Sequence, residues 1–361
     1  MSKILYAASS SAHLKAFHTP YIEALRGEGH TVITLGGGDG SDLDIAFEKK
    51  YLCRANARSR KAVKRIIEEE GFDVIIVNTS LAAFHVRRAL PKKDRPRLVN
   101  VVHGYLFPEF ATGFRANIKR LLLLSAEKML RKKNDAVVVM NAEDLRICVT
   151  NNLSNGDPYL INGMGVPNLT PVSTPEKLRA ELGLEGKQLL TFVGELSSRK
   201  NQTFLIKAMR QILASVENAH LLLAGDGAMA DELIALVREL GLESAVTLLG
   251  KRTDIADILS VTDVYVSASR SEGLPFNIVE ALGAKKPVVA SAVKGQTDIL
   301  DGGAGILYDD GDVSAYTEAV IGLLRGDLSI DPRAMTDSYE KYSAAEVFEH
   351  TYSVLKEAAG L

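Results

Sequence analysis

Apolar residues in this chain gather in short unbroken runs, and most runs are followed by a stretch with helical spacing. Residues 4–8, 30–35, 73–77, 97–102 and 136–140 have the composition of strands buried on both faces. Between them, residues 20–26, 61–70 and 114–133 read as helices, the first stopped by Gly27-Glu28-Gly29 and the second by Gly71. Gly36 to Gly40 reads as a mobile loop. Strands alternating with helices predict a doubly wound parallel sheet. Residues 163–175 break the pattern with three prolines and two glycines, which marks a linker. Beyond it a second α/β series begins, with strands expected at 189–193, 219–224, 245–249, 264–267, 287–290 and 305–307. Two such series predict two Rossmann-like domains with a cleft between their strand ends.

A length of 361 residues allows two cores, and 46% apolar with 24% charged residues is the balance of a soluble globular protein. The net charge of -2 hides an asymmetry. Residues 1–168 carry 25 Lys+Arg and 17 Asp+Glu, a balance of +8, which leaves 18 and 28, or -10, for the remainder. A basic first half suits an anionic membrane surface or a phosphorylated acceptor, and nothing points to nucleic acid. Cys53 and Cys148 lack metal or redox spacing and read as buried small hydrophobes. The chain starts straight into a strand with no long apolar leader and has no spanning apolar run, so a cytoplasmic protein is expected.

The stretch Ser271-Glu272-Gly273-Leu274-Pro275-Phe276-Asn277-Ile278-Val279-Glu280-Ala281-Leu282 carries the most chemistry. It follows an expected strand, and Pro275 suits the first turn of a helix. The backbone N–H groups of Gly273 to Asn277 would then form an anion site fit for a phosphate. Glu280, a turn further on, suits two vicinal hydroxyls, and Glu272 faces whatever the phosphate carries. A sugar nucleotide offers all three groups. Upstream, Gly194-Glu195-Leu196-Ser197-Ser198-Arg199-Lys200-Asn201 sets two cations at a helix start, suited to a diphosphate. Leu223-Ala224-Gly225-Asp226-Gly227-Ala228-Met229-Ala230 matches a dinucleotide fingerprint but lacks the acidic residue expected to follow it. Asp42-Leu43-Asp44 is read as part of a polar loop rather than a metal site, as is Asp309-Asp310-Gly311-Asp312.

The string Ser-Glu-Gly-Leu-Pro-x-x-x-x-Glu-Ala resembles the Glu-x7-Glu signature of the family 4 retaining glycosyltransferases, which have the GT-B fold. The Gly194 segment is similar to that family's basic motif, with Lys200 on the family lysine. Glu195 stands where the family has arginine, which leaves Arg199 as its substitute. Ala224-Gly225-Asp226-Gly227 resembles the family's loop near the donor, and Val101-Val102-His103-Gly104 the segment whose histidine touches the transferred sugar. The opening His13-Leu14-Lys15-Ala16-Phe17-His18 is similar to the subgroup that builds bacterial capsular and other surface polysaccharides, although Ser9-Ser10-Ser11 replaces the usual paired glycines.

The resemblance implies an acceptor domain over 1–165, a donor domain over 166–342 and a closing helix within 343–361 that crosses back to the first domain. It gives Glu272, His103, Lys200 and Arg199 catalytic roles and sets Glu280, Gly273, Leu274, Pro275, Gly194, Ser10 and Arg252 around the donor. His13 and His18 are left as acceptor contacts. It also implies a nucleotide-sugar donor, with UDP as the first base to test, and a saccharide or lipid-linked saccharide acceptor. No cofactor and no metal are expected, nor a covalent enzyme intermediate. The basic segment from Phe114 to Lys133 around Leu121-Leu122-Leu123-Leu124 adds reversible attachment to the inner face of an anionic membrane. A sugar-nucleotide epimerase or phosphorylase on the same fold, or a non-catalytic sugar-nucleotide-binding protein, is the alternative. Whether nucleoside diphosphate release needs an acceptor separates them.

Overall fold

The computed structural model describes residues 1–48, 51–110 and 113–361. The chain forms two compact units, Met1–Gly165 joined by Glu346–Leu361, and Val166–Ala345.

The first unit runs β1 (Lys3–Ser10), α1 (Ser11–Phe17), α2 (Thr19–Gly27), β2 (Thr31–Gly37), β3 (Leu43–Asp44), α3 (Arg54–Glu70), β4 (Val74–Asn78), α4 (Ser80–Ala89), β5 (Arg97–Val102), α5 (Phe114–Leu130), β6 (Ala136–Val139), α6 (Ala142–Thr150) and β7 (Tyr159–Leu160). Its seven strands are parallel in the order β3-β2-β1-β4-β5-β6-β7. Ile4 to Ala8 and Ile75 to Val77 are wholly buried, as expected of central strands covered on both faces.

The second unit runs α7 (Pro175–Leu182), β8 (Gln188–Val193), α8 (Gln202–Leu213), β9 (Ala219–Ala224), α9 (Ala230–Leu240), β10 (Val246–Gly250), α10 (Ile255–Val261), β11 (Val264–Ser267), α11 (Phe276–Gly283), β12 (Val288–Ser291), α12 (Gln296–Leu300), β13 (Ile306–Tyr308), α13 (Val313–Arg325) and α14 (Pro332–Tyr342). Six parallel strands lie in the order β10-β9-β8-β11-β12-β13. Leu190, Phe192, Leu221, Leu223 and Val266 fill one face of this sheet. Each such side chain removed from water contributes about 1.5 to 3 kcal/mol. The last helix, α15 (Ala344–Ala359), belongs mostly to the first unit. Arg97 Nε donates to the Ala358 carbonyl at 2.7 Å, and Lys356 pairs with Glu28 at 2.9 Å.

Several local expectations change. Ser9 to Ser11, which stand where the family has paired glycines in its first loop, form no loop here: β1 runs through Ser10, whose hydroxyl caps α1 by accepting from the His13 N–H. Gly36 and Gly37 still belong to β2. Leu43–Asp44 pairs with β2, so Asp42-Leu43-Asp44 is not a plain polar loop. The Asp42 carboxylate accepts from the N–H and hydroxyl of Thr34, both at 2.8 Å, and Asp44 accepts from the Gly38 N–H at 2.8 Å. Asp312 caps α13. Pro175, assigned to the linker, opens α7. Cys53 is half-buried and caps α3 through its sulfur, so only Cys148 is the buried hydrophobe expected.

Candidate active site

In the second unit β8 neighbours β11, while β9 and β10 lie on the other side of β8. The strand order reverses there, and in open α/β sheets the carboxyl ends of the strands at such a reversal, here β8 and β11, are where ligands bind. The loops that leave these two ends are the Gly194–Asn201 and Ala268–Pro275 segments. Hydrogen bonds stitch them together: the Arg270 N–H donates to the Arg199 carbonyl at 2.8 Å, and the Arg199 side chain donates from Nη1 to the Ser271 carbonyl at 3.0 Å. Glu272 is 8% exposed between them. Its Oε2 accepts from Arg199 Nη1 at 2.8 Å, and its Oε1 is 2.7 Å from Lys200 Nζ. Burial alone would raise this carboxyl, but Lys200 and Arg199 outweigh it and hold the group below the ordinary glutamate value. Two cations and one anion leave the cluster a net charge of +1. The two cations expected to hold a diphosphate are both paired with Glu272, and the cluster as a whole keeps its excess positive charge.

Glu280 differs. It is half-buried on α11, and burial pushes its carboxyl above the usual range with no countercharge to offset it. Asn277, on the preceding turn, donates Nδ2 to the Val193 carbonyl at 2.7 Å, tying α11 to the end of β8. The Tyr265 hydroxyl also meets Val193, accepting from its N–H at 3.2 Å. Pro275 is the N-cap rather than a first-turn residue, and α11 starts at Phe276. The Ile278 N–H, next after the expected row from Gly273 to Asn277, donates to the Pro275 carbonyl and the Asn277 side chain.

The first unit has the same reversal at β1 and β4. Here His13 and His18, from α1 and the joint before α2, meet His103, from the end of β5. Ring centroids are 4.7 Å apart for His13 and His103, and 5.2 Å for His18 and His103. Nε2 of His13 lies 3.3 Å from Nε2 of His18. Nδ1 of His18 lies 3.0 Å from the Tyr6 hydroxyl, and Nε2 of His103 lies 3.4 Å from Asn78 Oδ1. Burial lowers all three imidazoles, His13 to about 4 and His18 and His103 well below their ordinary value, which favours the neutral rings.

The family model described as Glycosyl transferases group 1 matches residues 174–342, and that described as Glycosyltransferase Family 4 matches residues 21–157. The chain belongs to the group 1 glycosyltransferases. This transferase is 28% identical over 333 residues to EpsD of Bacillus subtilis (strain 168), covering 88% of this chain and 86% of EpsD. It is 25% identical over 291 residues to the UDP-Gal:alpha-D-GlcNAc-diphosphoundecaprenol alpha-1,3-galactosyltransferase of Escherichia coli, covering 76% and 74% of the two chains. The crystal structure of Anabaena Alr3699/HepE in complex with UDP-glucose matches with a TM-score of 0.77 at 21% identity, covering 99% of this chain and 100% of that one. At that identity the likeness shows the GT-B fold.

In the transferase two glycines let its loops close up. Gly225, at φ 156°, packs so tightly that a Cβ would lie 1.8 Å from the Gly194 carbonyl oxygen. Gly295, at φ 78°, lies on the Glu272 turn, where a Cβ would meet the Gly273 carbonyl oxygen at 2.4 Å. Leu274 is buried beside Pro275. Two assigned residues are otherwise engaged. Ser10 caps α1, and Arg252, beyond the edge strand β10, is forked onto Asp254, with Nε to Oδ1 at 2.8 Å. Residues not singled out from the sequence carry the turn. Ser291 Oγ donates to the Ser269 carbonyl at 2.6 Å, and Gln296 Nε2 to Ser267 Oγ at 2.8 Å. Gln202 braces the Gly194 loop by donating to the Glu195 carbonyl at 2.8 Å. Asn277 could have been found, since it stands inside the Glu-x7-Glu string.

Proposed function

We propose that this glycosyltransferase moves a sugar from a UDP-sugar to a lipid-linked saccharide with retention of anomeric configuration, at the inner surface of a membrane and without a metal on the donor diphosphate. The observation that carries the reading is Glu272, buried between Arg199 and Lys200 at the strand-order reversal of the second unit. The cation pair neutralises charge that builds on the departing diphosphate, which is where preorganised charge lowers a barrier most. A carboxylate with a cation paired to each oxygen is a poor nucleophile, so Glu272 orients donor hydroxyls and does not attack carbon. The acceptor oxygen then bonds to the anomeric carbon on the face the phosphate leaves. The bond from that carbon to the phosphate oxygen breaks, and the acceptor proton passes to the phosphate. Glu280 takes the ribose hydroxyls and His103 a hydroxyl of the transferred sugar.

The donor base finds support in the HepE complex with UDP-glucose, and the acceptor class in the name of the Escherichia coli relative. Membrane attachment finds support in α5. Phe114 is 81% exposed, Leu121 55%, Leu122 67% and Met129 68%, and Phe110 just before the helix is also exposed. Arg115, Lys119, Lys128 and Lys132 are exposed around them and make no ion pair among the described residues. No described helix is long and apolar enough to cross a membrane. Exposed apolar residues ringed by cations are what an anionic bilayer surface binds.

The test is nucleoside diphosphate release from a panel of nucleotide sugars, with and without lipid-linked saccharide. Release from a UDP-sugar that requires the acceptor is the expected result. Release that ignores the acceptor would support hydrolysis or epimerisation instead.

A further inference from the structure

One ring nitrogen from each of His13, His18 and His103 lies within 4.8 Å of the other two. Among the described residues no other group of three or more His, Cys, Asp or Glu side chains brings its ligand atoms so close. The nearest pair, the two Nε2 atoms of His13 and His18, stands at 3.3 Å. Nitrogens held at 2.0 to 2.1 Å from one tetrahedral ion are roughly 3.3 Å apart, so this pair already has the spacing of two ligands. The rings are also oriented from behind. With Nδ1 of His18 on the Tyr6 hydroxyl and Nε2 of His103 on Asn78 Oδ1, the nitrogen left on each ring for a ligand is Nε2 of His18 and Nδ1 of His103. Asn78 is itself fixed, donating Nδ2 to the Ala7 carbonyl at 3.3 Å. Asn78 Oδ1 only accepts, which puts the proton on Nε2 of His103 and the lone pair on Nδ1, while the Tyr6 hydroxyl holds the His18 ring in place; outer partners of this sort accompany ligating histidines.

We infer that His13, His18 and His103 bind one divalent transition-metal ion of the zinc class, one nitrogen from each ring, with a fourth position open to water or a hydroxyl. Three imidazoles and no carboxylate suit zinc, cobalt, nickel or copper and not magnesium or calcium. The site is therefore different in kind from the carboxylate-held ion that some transferases place on a donor diphosphate. It is built in the first unit, whereas Arg199, Lys200 and Glu272 belong to the second. A ligated His103 is withdrawn from the sugar contact proposed above, so the ion suppresses transfer and is not a cofactor for it.

The test is direct binding of the ion to the full chain after EDTA dialysis. Zinc is titrated against a chromophoric chelator, and cobalt is followed by its visible d–d bands, with magnesium in excess throughout. One ion per chain with tetrahedral cobalt bands, undisturbed by magnesium, is expected. His13→Ala, at a half-buried ligand, should weaken binding by more than the roughly 10- to 100-fold expected for Tyr6→Phe, where only an outer partner is lost. Circular dichroism checks that each variant is folded, and His103→Gln replaces His13→Ala if that chain does not fold. A wild-type chain that binds neither ion, or binds it no better than the ligand variant, overturns the inference. Because no glycosyl transfer is measured, that outcome would leave the transferase reading standing.

Discussion

Two glutamates on one loop and helix meet opposite electrostatic fates, and their variants should separate accordingly. Glu280 is raised by burial, so its ionisation costs stability once the pH passes the unfolded glutamate value of about 4.3. Glu280→Gln should raise the melting temperature at pH 7, with the gain vanishing below pH 4, while the donor KM rises because the ribose contact is weakened. Glu272 is held low by two cations, so its contribution is present above the unfolded value and is lost as pH falls through the depressed folded value. Glu272→Gln should lower the melting temperature at pH 7, since it strips a countercharge from Lys200, which is 8% exposed, and it should chiefly lower kcat. Thermal melts against pH with steady-state kinetics check both. Melting shifts of the same sign in the two variants would remove the assignment. Each of these residues was legible in the sequence as a site residue, but the pairing of Glu272 with Arg199 and Lys200 was not. It depends on β8 lying beside β11, a contact that no local pattern encodes. The histidines were likewise read one at a time, because only the fold brings the ends of β1 and β5 together.

At the scale of elements, the active turn depends on polar side chains that tie strand ends to helices. Asn277 and Asn218 make the same bond in the same sheet. One donates to the Val193 carbonyl at the carboxyl end of β8, and the other donates to the Gly186 carbonyl before β8, at 2.9 Å. Either change to Ala should cost about 1 kcal/mol, or about 2 to 4 °C for a unit of this size. Only Asn277→Ala should raise the donor KM, because only it loosens α11 under the nucleotide. Calorimetry with donor-saturation kinetics is the check, and equal KM values would detach Asn277 from the site. Strands were the most legible elements, since a run such as Leu189 to Val193 is too short for a helix and is apolar but for Thr191. Among the helices that went unread, besides α7, α10, α12 and α13, are α1, α4, α6 and α14. Helix α1 is seven residues long and starts directly from a strand, and α4 follows Thr79 at φ 67° with no capping side chain. Signals for α6 and α14 lay in Asn141 before Glu143 and Asp144, and in Asp331 before Pro332. The start of α3 at Arg54 was hidden because its cap is a cysteine sulfur.

For the whole molecule, the charge asymmetry of the sequence now has a location. The leucine run at 121–124 was open to being core, and the structure divides it: Leu124 is buried, while Leu121 and Leu122 face outward. Vesicle flotation should show binding to anionic but not neutral lipid, weakened by salt and by the joint change of Arg115, Lys119, Lys128 and Lys132 to Gln. Arg120 and Arg131 are left in place because they hold backbone carbonyls of Glu109 and Asn152. Binding indifferent to lipid charge and to the four changes would rule this face out. Transfer itself should survive EDTA, since Arg199 and Lys200 supply the charge that a donor-bound ion would bring. Loss of activity restored by manganese or magnesium would contradict that. Lys200→Ala should cost at least about tenfold in kcat/KM, the equivalent of a charged contact of roughly 1.5 to 3 kcal/mol. The measurement closest to the central claim is the proton NMR spectrum of the product formed from a UDP-α-sugar and a lipid-linked saccharide. An α anomeric signal for the new linkage, formed by wild type and nearly absent with Glu272→Gln, is the predicted result, and a β signal would contradict the account.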